Sequence, residues 1–244
     1  MHGSQLRVLT QPNAGPAAAR NAGIAASNAD IVAFIDSDCI ASPNWLEQLV
    51  ETLVRTRADG VGGVIVGADS PRLVPQYLEA VGFYRQRVRN GQVDYLLTGN
   101  AAFRRDALKA VGGFTVKPGV WVEDVDLSFK LQAQGYKLAV ADDAVVTHFG
   151  SPQSLRQLAR GIFRYGRGSY ALSDQWNGRR KPVKEFVRHS GAVILAPLLA
   201  ARLIPRVGWR KALQFCPIIA CEHAAFAYGL LSAWLDDRFG TAAR

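Results

Sequence analysis

The chain has 244 residues, 49% hydrophobic and 20% charged, enough to bury a globular core and too varied for a disordered or repetitive segment. Its formal charge of +9 is concentrated: residues 151–190 carry nine Lys/Arg (Arg156, Arg160, Arg164, Arg167, Arg179, Arg180, Lys181, Lys184, Arg188) against two acids, Asp174 and Glu185. Such a band calls for an anionic neighbour, whether substrate phosphate, an anionic membrane surface or nucleic acid. The three cysteines (Cys39, Cys216, Cys221) make neither a CxxC pair nor an even framework, which argues against zinc and disulfide roles.

In chain order, Leu6–Leu9 is a short strand candidate followed by a Gln11–Pro16 turn. Pro16 suits the first position of a helix, and Ala17–Ser27 continues in helix-forming alanines. Ile31–Ile35 is an apolar run bounded by polar residues, the pattern of a buried parallel strand. Ser42-Pro43 opens a helix whose apolar face is Leu46, Leu49, Val50 and Leu53. Val61–Val66 reads as a strand, Val74–Arg89 as a helix, and Tyr95–Leu97 as a strand running into Thr98-Gly99-Asn100. Asp106–Val111 is a short helix stopped by Gly112-Gly113, and Asp124–Gln134 a helix stopped by Gly135. Lys137–Val140 and Val145–His148 add two strands. The alternation predicts an α/β layer fold with a mainly parallel sheet flanked by helices over residues 1–150.

After Gly150 the character changes. Arg156, Arg160 and Arg164 recur every four residues over Gln153–Tyr170 and share a helix face. Residues 191–204 and 212–235 are apolar, the second long enough to span a bilayer, although Pro217, Glu222 and His223 interrupt it. Residues 151–244 are therefore expected to form a basic linker helix followed by apolar helices. Membrane association and a buried amphipathic hairpin both stay open for them.

Asp36-Ser37-Asp38 directly follows the Ile31–Ile35 run, and open α/β sheets bind ligands at the carboxyl ends of their strands. Two acids one residue apart suit a hard divalent ion, Mg²⁺ or Mn²⁺, with positions left for phosphate oxygens; alone, the same pattern also describes a solvated turn. Glu123-Asp124 opens a helix, where acids also satisfy the dipole and the free N–H groups. His148 ends a strand, and its imidazole is placed to complete an acid-rich metal site.

Taken in order, Asn13-Ala14-Gly15, Ala19-Arg20-Asn21-Ala22-Gly23-Ile24, Asp36-Ser37-Asp38, Trp45-Leu46, Gly99-Asn100-Ala101-Ala102-Phe103-Arg104-Arg105, Gly112-Gly113-Phe114, Glu123-Asp124-Val125-Asp126-Leu127-Ser128, Gly135-Tyr136 and His148 resemble the family-2 glycosyltransferases of the GT-A (Rossmann-like) fold. The resemblance covers roughly the first 150 residues. It implies that Asp36 and Asp38 hold a divalent metal and the donor diphosphate, with His148 joining the metal. It further implies a catalytic acid pair, Glu123 and Asp124, with Asp124 as base. Arg20, Asn21, Gly99 and Asn100 fall where the family lines the donor pocket.

The partners implied are a nucleotide-diphosphate sugar and a hydroxyl-bearing saccharide or lipid-linked acceptor, in cell-surface polysaccharide or glycolipid synthesis. The expected location is the cytoplasmic face of a membrane, peripheral or anchored through the carboxyl terminus, and otherwise the cytoplasm. Nucleic acid is not the expected partner, despite the aromatics interleaved in Arg160–Tyr170. Gln157-Leu158-Ala159-Arg160 is similar to the QxxRW motif of processive synthases, but Gly161 stands in place of its tryptophan. The family's opening strand and its Asp-Asp-Gly-Ser-like base-binding segment find no counterpart upstream of Gln5, so an amino-terminally truncated chain is expected. A catalytically inactive, membrane-associated scaffold is the alternative function.

Overall fold

The computed structural model describes residues 6–89, 92–117, 119, 121–176 and 181–240. In chain order the first part contains α1 (Gly15–Ala26), β1 (Ile31–Ile35), β2 (Cys39–Ala41), α2 (Trp45–Thr56), β3 (Gly60–Gly67), α3 (Leu73–Val81), β4 (Arg87–Arg89), β5 (Gln92–Tyr95), β6 (Asn100–Arg104), α4 (Arg105–Ala110), α5 (Glu123–Ala133) and β7 (Leu138–His148). Five strands form one sheet in the order β1-β6-β3-β7-β2, and β4 and β5 form a separate hairpin.

The sheet is mixed. β3 and β7 pair in parallel and β1 runs in their direction, whereas β6 is inserted antiparallel between β1 and β3, and β2 runs antiparallel to β7. The expected common direction therefore holds for β1, β3 and β7. One face of the sheet packs Phe34 and Phe103 against Ala17 and Ile24 of α1 and Leu127 and Leu131 of α5. The other packs Val61, Ala102 and Ala141 against Leu49 and Leu53 of α2. Both faces are covered, so the strands are apolar on both sides rather than alternating.

Four local expectations change. Leu6–Leu9 forms no strand: no described neighbour offers it a ladder, and Leu6 and Val8 are exposed. The helix expected over Val74–Arg89 stops at Val81, because Gly82 takes a left-handed φ of 65° and turns the chain. Beyond it, the Gln86 side chain substitutes for backbone pairing, donating from Nε2 to Gly63 O (2.8 Å) and accepting from Leu97 N (2.6 Å). The strand expected at Tyr95–Leu97 lies earlier, as β5, and the one that enters the sheet is β6. Lys137–Val140 and Val145–His148 belong to the single strand β7, whose register against β3 shifts between Gly63 and Val64.

The remainder is helical: α6 (Leu155–Ala171), α7 (Pro182–Ile194), α8 (Ala196–Ala201), α9 (Ile204–Val207) and α10 (Trp209–Phe239). Ser154 caps α6 through its Oγ. Leu158 and Ile162 of α6 share a buried cluster with Val74, Tyr77 and Leu78 of α3 and Phe215, Ile218 and Ile219 of α10. Where α6 crosses α10, glycine meets glycine. A Cβ on Gly166 would lie 2.3 Å from Phe226 O, and one on Gly229 would lie 2.2 Å from Phe163 O. The helix backbones thus touch without an intervening side chain. Gly229→Val is expected to destabilise the fold by about 2–3 kcal/mol, since overpacking outweighs the gain in helix propensity; chemical denaturation followed by circular dichroism measures it.

Candidate active site

The carboxyl ends of β1 and β7 and the start of α5 converge on one cleft of about 1010 Å³. Register explains the first contact. Pairing of β2 with β7 sets Cys39 opposite His148, and Phe149 N donates to Asp38 O at 2.8 Å. Asp38 and His148 are thereby brought together from positions 110 residues apart, with Oδ2 and Nε2 3.4 Å from each other. Gly150 makes the room: a Cβ there would sit 1.8 Å from Asp38 Oδ2 and 3.0 Å from His148 Nε2. On its other nitrogen, Nδ1, His148 meets Ser151 Oγ at 3.5 Å, and that hydroxyl accepts from Tyr84 at 3.0 Å. This contact orients the ring so that Nε2 faces the carboxylate.

Such a pair suits a divalent cation. The 3.4 Å separation exceeds the roughly 2.7–2.9 Å of a tight charge-assisted hydrogen bond, and it suits two donors touching one ion. Among the described residues, no group of three or more His, Cys, Asp or Glu side chains is placed to hold a metal. The protein thus offers two donors here, with coordination left open toward the cleft. Asp36 stands apart from this pair, because its Oδ1 accepts from Arg20 Nη2 at 2.9 Å.

Arg20 joins both ends of the site. From α1 its guanidinium reaches Asp36 with one nitrogen and Glu123 Oε1, at 2.6 Å, with the other. Burial works against its charge, but the two carboxylates outweigh that and hold it more firmly protonated than usual. Glu123 is spent on this ion pair. Asp124 beside it is partly buried and accepts from Val125 N at 2.8 Å. Burial, reinforced by the charge of Glu123, pushes its carboxyl up to about 7. Gly99 is required by the same corner, since a Cβ would fall 2.7 Å from Asp36 Oδ2. Burial and the charges of Asp36 and Asp38 push the Cys39 thiol up to about 11, which disfavours its thiolate.

Two predicted donor-pocket residues lie elsewhere. Asn100, the first residue of β6, is fully buried, donating to Val64 O and Ala144 O (both 2.8 Å) and accepting from Trp45 Nε1 at 2.7 Å. Its amide pins the β3–β7 irregularity, and both of its N–H donors are spent on these carbonyls. Asn21 donates to Phe114 O and accepts from Phe114 N, which ties the Gly113-Phe114 loop to α1. Neither side chain lines the cleft. Arg20, Asp36, Asp38, Gly99, Glu123, Asp124 and His148 do.

Sequence reasoning missed the opposite wall, where Trp121, Tyr165, Trp176, Lys184 and Arg188 face the same space. The basic band of residues 151–190, which contains Lys184 and Arg188, was its one legible trace. Asp126, quoted only as part of a motif, is fully buried and accepts from Trp176 Nε1 at 3.1 Å and from Thr115 Oγ1. It supports the α5 start from behind.

Comparison with known proteins bears on the family and the fold. Residues 2–112 match the family model described as glycosyl transferase family 2. The pre-mycofactocin glycosyltransferase of Mycobacterium tuberculosis is 32% identical over 189 residues, covering 73% of this chain and 39% of that protein. The succinoglycan biosynthesis protein ExoM of Rhizobium meliloti is 29% identical over 244 residues, covering 94% of this chain and 75% of that protein. Among solved structures, a mannosyltransferase from Pyrobaculum calidifontis in complex with GDP-Man and Mn²⁺ aligns with a TM-score of 0.55 at 17% identity, covering 91% of this chain and 67% of that one. The fold is therefore GT-A, and the chain belongs to glycosyl transferase family 2. It spans about two-fifths of the mycobacterial relative and three-quarters of ExoM.

Arg20→Met would leave Glu123 largely buried without its cation. A loss of about 2–4 kcal/mol is expected in urea denaturation, as for other broken buried pairs.

Proposed function

We propose that the chain transfers a sugar from a nucleotide-diphosphate sugar to an acceptor hydroxyl, with inversion at the anomeric carbon, as part of polysaccharide or glycolipid assembly. The observation that carries this reading is Asp124, a carboxyl with a pKa near 7 that faces the same cleft as the Asp38–His148 pair. A general base works best when its pKa lies near the working pH. Asp124 takes the proton of the acceptor hydroxyl as that oxygen bonds to the anomeric carbon. The bond from that carbon to the diphosphate oxygen breaks on the opposite face, which inverts the centre. Asp38 and His148 would hold a divalent ion, Mg²⁺ or Mn²⁺, whose chemistry when bound is to neutralise the departing diphosphate. Arg20 fixes Asp36 and Glu123 so that neither drifts into the donor space. Gly99 leaves the backbone open to close approach by a sugar.

Asp124→Asn should abolish transfer while nucleotide-diphosphate binding persists, and the acid limb of the wild-type kcat/KM profile should fall near pH 7. Stability gives an independent readout. The folded carboxyl keeps its proton to about 7, whereas an ordinary aspartate releases it near 3.8, so the wild type loses stability as pH rises between those values. Asp124→Asn avoids that loss. It should be more stable than wild type by about 2–4 kcal/mol at pH 8 and nearly equal at pH 4. Equal denaturation curves at pH 8, together with retained transfer, would remove Asp124 from the role of base.

The helical part supports a peripheral seat on an anionic membrane surface. α10 is the one described helix long and apolar enough to cross a bilayer, yet it packs along α6 and carries Glu222 inward to the Tyr77 hydroxyl. Val187, Ile194, Leu198, Trp209 and Leu213 are exposed, with Arg202, Arg206 and Arg210 among them. Apolar side chains edged by arginine and tryptophan suit an interfacial position on anionic lipid. In flotation, the protein should rise with vesicles containing anionic lipid and less with neutral ones. The double variant Trp209→Glu/Leu213→Glu should stay in the soluble fraction.

A further inference from the structure

We infer that the cleft wall built by α7 is a subsite for a phosphate or diphosphate carried by the acceptor. This rests on the transferase reading and names the acceptor's chemical class.

The cleft is sorted by charge. Its sheet end carries Asp36, Asp38, Glu123 and Asp124, balanced there by Arg20. Its helical wall carries Lys184 and Arg188, four residues apart on one side of α7, with Lys181 at the extended residue just before the helix and Arg87 contributed by β4. The acids on that wall are engaged. Glu185 accepts from Ser169 Oγ at 2.8 Å and lies 3.9 Å from Arg188, Glu222 accepts from the Tyr77 hydroxyl, and Asp94 has its own partner. No described carboxylate lies within ion-pair distance of Lys181 or Lys184, although both line the cavity. Two exposed ammonium groups beside an arginine, gathered on one wall of an otherwise acidic cleft, are suited to a multiply charged anion.

The donor does not account for this pole. Its diphosphate belongs with the ion at Asp38 and His148, and its sugar must reach Asp124 from that side. The hydroxyl that Asp124 deprotonates comes from the acceptor, so the anion at α7 belongs to the acceptor molecule. Trp121 and Tyr165 line the intervening space and offer faces on which a sugar ring can lie.

The test uses the full chain and inorganic pyrophosphate, titrated calorimetrically in EDTA so that no metal site contributes. Wild type should bind, and Lys181→Gln/Lys184→Gln should bind about tenfold more weakly. Binding of a nucleoside diphosphate with Mn²⁺ should be the same in both. The inference is overturned if wild type does not bind pyrophosphate, or if both proteins bind it equally. It is also overturned if the variant loses nucleotide binding, which would assign these lysines to the donor. Farnesyl diphosphate is then compared with pyrophosphate: tighter binding identifies a lipid-linked source and equal binding a soluble phosphorylated acceptor, and both uphold the subsite. If wild type binds pyrophosphate but no nucleotide with Mn²⁺, the donor reading fails while the anion subsite stands.

Discussion

One guanidinium holds the two halves of the site together. Asp36 leaves the sheet at the end of β1, Glu123 begins α5, and Arg20 arrives from α1 to bridge them. Without it, four carboxylates would line one end of the cleft, Glu123 largely buried among them, and mutual repulsion would drive them apart or keep them protonated. With it, two are neutralised locally, which leaves Asp38 facing His148 and Asp124 facing the space between. The different surroundings of four like-charged residues thus follow from where a single cation is placed.

A second constraint lies within the sheet. Asn100 fills the gap where β7 carries extra residues opposite β3, and the missing side chain of Gly63 makes its place: a Cβ there would be 2.5 Å from Asn100 Nδ2. The irregularity lets the end of β7 carry His148 to its position beside Asp38. Asn100 therefore shapes the site from within the sheet, which gives a glycine-asparagine sequence a structural reason distinct from sugar binding.

Much of this was legible in the sequence, for identifiable reasons. β1, β3, α2 and α5 carry strong local signals, namely an apolar run, glycine stops and helix periodicity, and Asp36, Asp38 and Asp124 stand at element ends where chemistry concentrates. What escaped depends on partners distant in the chain. β6, Asn100–Arg104, is short and alanine-rich, and it is a strand because β1 and β3 clasp it from both sides. Gln86 looked helical and instead serves as a surrogate for backbone pairing. The roles of Asn21 and Asn100 were misread because an asparagine in a motif looks alike whether it faces a ligand or a carbonyl. The basic periodicity of residues 151–190 was visible, but which of those charges reach the cleft depends on how α6 and α7 pack.

The glycine contact between α6 and α10 has a mechanical meaning. Helices that meet through side chains can shear past one another by small amounts. Helices in backbone contact have no such layer between them. α6 presents Ile162, Tyr165 and Ser169 to the cleft, and α10 extends from the exposed Trp209. The pair therefore joins the outer apolar surface to the wall of the cleft through a contact that no side-chain rotamer can adjust.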